Sequence, residues 1–177
     1  MPLQDTERLH KSEEEQEELR KQRLLNKLQE FLSSQDKVKT AGNIKKLVEH
    51  YGDQPELYTE IADRYYKSGY YKEALSYVQK ALQKDNQDLR AYKVAVNAFR
   101  FLKQHDKAIQ FFKKALNAFG EHANLYMNLS RLYLECEKHE HALQSANKAL
   151  QLEPDNAEIQ ELIKEIKQSE NISTEYE

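Results

Sequence analysis

The tripeptide Lys-Ala-Leu occurs at Lys80-Ala81-Leu82, Lys114-Ala115-Leu116 and Lys148-Ala149-Leu150, 34 residues apart each time. A fixed period of this size means that one small structural unit has been repeated, which constrains the fold more than composition does. The register holds without a gap over 55–88, 89–122 and 123–156. One aromatic column runs through Tyr58, Tyr92 and Tyr126, a second through Tyr65, Phe99 and Tyr133, and a small-residue column through Ala74, Ala108 and Ala142.

Within each unit the apolar residues follow helical spacing. In the first, Tyr58, Ile61 and Tyr65 mark one helix, and Ala74, Leu75, Val78, Ala81 and Leu82 mark another. Helix-ending residues separate them: Lys67-Ser68-Gly69 inside the first unit, and Asn86, Gly120 or Pro154 between units. Alanine in the middle of the second helix lets the backbones approach. Such a hairpin is apolar on two sides, cannot bury itself alone and must stack on neighbours. Composition agrees: 4 Gly, 3 Pro and 32% charged residues suit helices, and a hydrophobic fraction of 39% suits a thin stacked body.

The order aromatic, apolar, small, aromatic, then Ala, an apolar residue and Pro resembles the tetratricopeptide repeat (TPR). Tyr126, Leu129, Ser130, Tyr133, Ala142, Ala146 and Pro154 carry it in the third unit. The second unit departs at Val96 and Gly120, and the first has Asn86 at the proline position. The resemblance covers 102 of 177 residues. It implies an all-α, right-handed α-solenoid of TPR helix hairpins with an N-terminal helical extension and a C-terminal capping helix. It also implies a concave groove lined by the first helix of each pair.

The ends are expected to complete the array. Residues 157–169 carry Ile159, Leu162, Ile163 and Ile166 on one face and are predicted to cap it, with 170–177 a disordered tail. Counting back one period, 21–54 is predicted as a degenerate TPR-like helix pair. Leu24, Leu28 and Phe31 would form its first apolar stripe and Val38, Ile44, Leu47 and Val48 its second, with Thr40 and Leu47 replacing small residues. Residues 1–20 are predicted to be an acidic, partly disordered helical extension starting near Thr6.

Several function classes recede. A net charge of -3 gives no general attraction to nucleic acid. The single cysteine, Cys136, allows no intrachain disulfide. No segment reaches the roughly 18 apolar residues of a membrane span, and the N-terminus has neither secretory nor transit character, so a cytoplasmic setting is the default. No nucleophile elbow, phosphate loop or acid–base pair is present, so catalysis and cofactors are not expected. Cys136, His139 and His141, beside Glu135 and Glu137, are metal-ligand types, but their spacing matches no standard zinc pattern and no metal is expected.

The residues expected to face the groove carry the functional expectation. Arg90, Lys93, Asn97 and Arg100 form one helical stripe, and Asn124, Asn128 and Arg131 extend it. The first unit offers Glu56, Thr59, Asp63 and Tyr66, a stripe of opposite sign, with Tyr66 as an aromatic contact. Tyr65 and Tyr77 are expected in the core. Residues 89–122 hold seven Lys or Arg against two acids, and 1–18 hold two against seven. A basic stripe with side-chain amides suits an acidic segment or a C-terminal carboxylate, although a merely solvated polar face has the same pattern. Lys93, Asn97 and Asn128 also resemble part of the carboxylate clamp of TPR co-chaperones, whose further basic pair would fall at Glu158 and Leu162.

The expected role is a non-enzymatic adaptor, scaffold or co-chaperone that binds a protein or peptide partner, with the acidic N-terminus as an internal competitor for the groove. Two alternatives stay open. The layout resembles the class II chaperones of type III secretion, which would imply a homodimer through the N-terminal helix. The array would otherwise be the docking module of a larger enzyme.

Overall fold

A computed structural model describes the backbone of residues 2–175 and the side chains of 15–170 other than Lys37. The described residues form nine helices and no strand: α1 Pro2–Ser33, α2 Lys37–Tyr51, α3 Pro55–Lys67, α4 Tyr71–Lys84, α5 Leu89–Phe101, α6 His105–Phe119, α7 Ala123–Glu135, α8 His139–Leu152 and α9 Ala157–Glu175. The chain divides into two compact units, Met1–Val94 and Ala95–Glu177, with the boundary inside α5. In the first unit α1 packs on α2 and α3, and α3 on α2 and α4; in the second α7 packs on α6, α8 and α9, and α8 on α9.

The 34-residue period is written into the backbone. Gln35, Gly69, Lys103 and Glu137 are left-handed, with φ of 58°, 81°, 58° and 58°. Beside them the amides of Asp36, Tyr70, Gln104 and Lys138 donate to the carbonyls of Phe31, Tyr65, Phe99 and Tyr133. The left-handed residues themselves donate to Leu32, Tyr66, Arg100 and Leu134. This Schellman closure satisfies carbonyls that a helix end leaves open. Only one of the four is glycine, although the conformation costs other residues about 1–2 kcal/mol. Segment 21–54, where the repeat is faintest in sequence, closes its turn at Gln35 in the same way.

A longer period of 68 is superimposed. The 15-residue helices α2 and α6 end on Gly52 and Gly120, with φ of 81° and 80°. The 14-residue helices α4 and α8 end instead on Asp85 and Glu153 with extended φ. After each glycine a tyrosine hydroxyl closes the linker, Tyr58 onto Asp53 and Tyr126 onto Glu121.

The sequence columns find their places in the packing. Ala74, Ala108 and Ala142 are all 0% exposed, which leaves no room for a larger side chain where the two helices of a hairpin meet. Ser130 Oγ donates to Ala142 O across one such contact at 2.7 Å. The lysine of each Lys-Ala-Leu tripeptide stands over an aromatic ring. Lys80 lies 4.6 Å from the Tyr77 centroid, Lys114 5.0 Å from Phe111 and Lys148 5.3 Å from Tyr126.

Three expectations at the ends need correction. The buried stripe of α1 is Leu25, Leu28 and Leu32, with Leu24 and Phe31 half-buried, and Val38 is 83% exposed. Both leucine sets obey helical spacing, and contact with α2 selects between them, for Asn43 Nδ2 donates to Leu24 O at 2.6 Å. The N-terminal helix starts at Pro2, not near Thr6, with proline at a first helical position that needs no amide hydrogen. Helix α9 runs past 169 to Glu175, since neither Gly nor Pro interrupts it; 176–177 lie outside the described residues.

Candidate functional site

The start of α5 is fixed by Asp88. Its Oδ1 accepts from the backbone N–H of Arg90 at 2.9 Å and of Ala91 at 3.2 Å, which caps the helix. Its Oδ2 accepts from Thr59 Oγ1 on α3 at 2.5 Å. Thr59 is buried, so it belongs to this clasp and not to an exposed acidic stripe. Asp63 is likewise taken, by Lys67 at 2.6 Å, and Glu56 stays exposed. Tyr66 is half-buried, with its ring centroid 5.8 Å from that of Tyr71.

Arg90 and Lys93, one turn apart after the cap, are exposed and meet no carboxylate among the described residues. Further along α5 the situation changes. Arg100 grips Glu135 of α7 with two nitrogens, Nε to Oε2 at 3.0 Å and Nη2 to Oε1, and its Nη1 lies 3.5 Å from Asn97 Oδ1. Arg131 donates to Glu158 Oε1 at 2.8 Å. Asn128 Nδ2 donates to the carbonyl of Asn124 at 2.7 Å, one turn back in its own helix, and both asparagines are exposed. Of the two clamp positions lacking a cation, Glu158 is spent on Arg131 and Leu162 is buried.

The residues weighed as metal ligands are not gathered. Glu135 is held by Arg100, the His141 ring lies 5.2 Å from Tyr133, and burial pushes the Cys136 thiol up, away from the reactive thiolate. No group of three or more His, Cys, Asp or Glu among the described residues is placed to hold a metal. Nor does the acidic end of α1 reach α5 where its side chains are described. Glu17 Oε1 meets His50 Nε2 of α2 at 2.6 Å, and the charged side chains of 1–14 lie outside the described residues.

The tyrosines expected in the core line a cleft instead. Tyr65 and Tyr77 are half-buried and stacked, with centroids 5.4 Å apart. With Tyr58 and Tyr70 they border a cavity of about 650 Å³ in the first unit. It opens at Ala41, which stands in register with the larger Leu75, Ile109 and Leu143. The hydrogen bond to Asp53, and then burial, raises the Tyr58 hydroxyl to about 12; burial raises Tyr65 to about 12.

Models of the tetratricopeptide repeat match residues 55–88 and 102–166, together more than half of the chain. The chain is a tetratricopeptide-repeat protein. No curated protein sequence matches it significantly. MamA 41-end from Desulfovibrio magneticus RS-1 is similar at 18% identity and a TM-score of 0.62, over 85% of this chain and 85% of that one. YrrB, described as a TPR protein with an unusual peptide-binding site, is similar at 23% identity and a TM-score of 0.58, over 75% of this chain and 68% of its own. The first TPR of Spaghetti (RPAP3), solved with the HSP90 peptide SRMEEVD, is similar at 22% identity and 0.57, over 66% of this chain and 92% of its own. At these identities the likeness establishes the fold, an all-α solenoid of TPR hairpins. No helix among the described residues of this TPR protein is long and apolar enough to cross a membrane.

Proposed function

We propose that this TPR protein is a non-enzymatic interaction module that holds an extended acidic segment of a partner protein, with Arg90 and Lys93 as its charged anchors. One observation carries the proposal: these two cations are exposed and meet no carboxylate among the described residues, while Arg100 and Arg131 are already neutralised within the chain. Within the compact unit Ala95–Glu177 taken by itself, the exposed amides of Asn124 and Asn128, with Asn97, are groups suited to bonding peptide backbone. Such a module serves as an adaptor or co-chaperone. The same proposal takes 21–54 as a further repeat, 55–88, 89–122 and 123–156 as the three clear ones, and α9 as the cap.

The absent basic pair at Glu158 and Leu162 points to acidic side chains, not a chain-terminal carboxylate, as the recognised feature. The peptide SRMEEVD, held by one protein of the same fold, is a suitable probe with its C-terminus free or amidated. Both forms should bind equally, and Arg90→Glu with Lys93→Glu should weaken both by more than about tenfold while the unfolding midpoint stays within about 2 °C. Binding that survives these reversals, as read by isothermal titration, refutes the assignment of the two anchors.

A further inference from the structure

A second group of cations in the first compact unit lies on α1 and α2. Arg20, Arg23 and Lys27 of α1, spaced three and four apart, share one helix face. Lys46 and His50 of α2 stand four apart on another. Together with Glu49, and with Leu24 as its apolar floor, they line one cleft of about 430 Å³. The cleft is preformed, because buried Asn43 ties α2 to the Leu24 carbonyl at 2.6 Å.

Three described carboxylates near it are committed. Glu17 faces His50 at 2.6 Å, Glu18 accepts from the Gln22 amide at 3.0 Å, and Glu49 faces Lys45 at 3.5 Å. Lys21 points elsewhere and pairs with Glu60 at 3.1 Å. Arg20, Arg23, Lys27 and Lys46 meet no carboxylate among the described residues. Four like charges around one small volume repel one another, in a chain whose net charge is -3. A single carboxylate would leave most of that charge uncompensated. A phosphate carries about -1.5 to -2 and three strong acceptor oxygens, and the guanidinium forks of Arg20 and Arg23 match it two bonds at a time.

We propose that the α1–α2 cleft is a second binding site, selective for phosphate, that takes a phosphorylated segment of a partner protein. A membrane headgroup offers the same chemistry, but Leu19 is the one exposed large apolar residue of α1 among the described residues, and membrane association at a helix face needs an apolar stripe. The site is separate from Arg90 and Lys93, and the two proposals stand or fall independently.

The test uses the full chain and a fluorescent 12-residue peptide that has no acidic side chains and carries two phosphoserines, compared with its unphosphorylated twin by anisotropy. The phosphorylated peptide should bind at least about tenfold tighter, and inorganic tripolyphosphate should displace it. Arg20→Glu with Arg23→Glu should abolish the difference, whereas Arg20→Lys with Arg23→Lys, which keeps the charge and loses the forks, should cost about two- to fivefold. Lys46→Glu, on the opposite wall, repeats the test should the α1 variants melt early by circular dichroism. Arg90→Glu with Lys93→Glu should leave phosphopeptide binding unchanged.

Four results overturn the proposal. They are equal affinity for the two peptides, loss of phosphopeptide binding in the Arg90/Lys93 variant, binding to phosphatidylserine vesicles but not to the peptide, and a dimer in sedimentation that Arg20→Glu with Arg23→Glu dissociates. The last would mean that the acidic N-terminal segment of a second copy fills the cleft.

Discussion

The two ends of α5 carry the same residue types on one helical face and put them to different uses. At the first end Arg90 and Lys93 follow a cap made by Asp88 and reach no carboxylate among the described residues. At the second end Arg100 is clasped by Glu135 with two hydrogen bonds and touches Asn97. A count of positive charge treats the three cations alike. The partner on the next helix decides which cations are open to a ligand and which clip one hairpin to the next.

Three substitutions probe that contrast. The largest effect is expected from Asp88→Ala, which removes the cap of α5 and strands the buried Thr59 hydroxyl. A loss of about 2 kcal/mol and an unfolding midpoint lower by about 4–8 °C are expected by circular dichroism. Acidic-peptide affinity should fall with it, because the first turn of α5 carries Arg90; unchanged affinity would separate the anchors from their cap.

Arg100→Ala comes next. Both partners in its ion pair are more than one-third exposed, so solvent screening limits the loss to about 0.5–1 kcal/mol, with peptide affinity changed less than about twofold. A large affinity loss with intact stability would move Arg100 into the binding set and dissolve the distinction between the two ends.

The smallest effect sharpens it. Glu135→Gln keeps a neutral acceptor but releases the Arg100 charge, and acidic-peptide affinity measured by titration should rise about two- to threefold at low salt. No rise would mean that Arg100 does not reach the bound segment.

Much of the fold was legible because a period repeats its own evidence. The columns of alanines and aromatics each occur three times, and three in-register units name the architecture. Local chemistry occurs once and was harder to see. Leu24, Leu28 and Phe31 satisfied helical spacing as well as the buried Leu25, Leu28 and Leu32 did, and contact with α2 chose between them. Tyr65 and Tyr77 sit at packing positions, yet the small Ala41 on a neighbouring helix opens a cleft beside them. At the candidate site the stripe of Arg90, Lys93, Asn97 and Arg100 was visible as a stripe. That Glu135 and Glu158 neutralise Arg100 and Arg131 was not, since these partners lie 35 and 27 residues away. The basic cleft had a signal in Arg20, Arg23 and Lys27, but the seven acids of the preceding segment masked it in any tally of charge.

The turn closures at Gln35, Gly69, Lys103 and Glu137 are made by backbone groups, and one glycine suffices for four turns. A genetic event that adds or removes 34 codons therefore lands on an equivalent joint, whatever residue occupies it. An event that adds a single codon inside a helix rotates the buried alanines beyond it in that helix by about 100° off their face. Length in such a chain is quantised, and new binding surface is acquired or lost in whole hairpins.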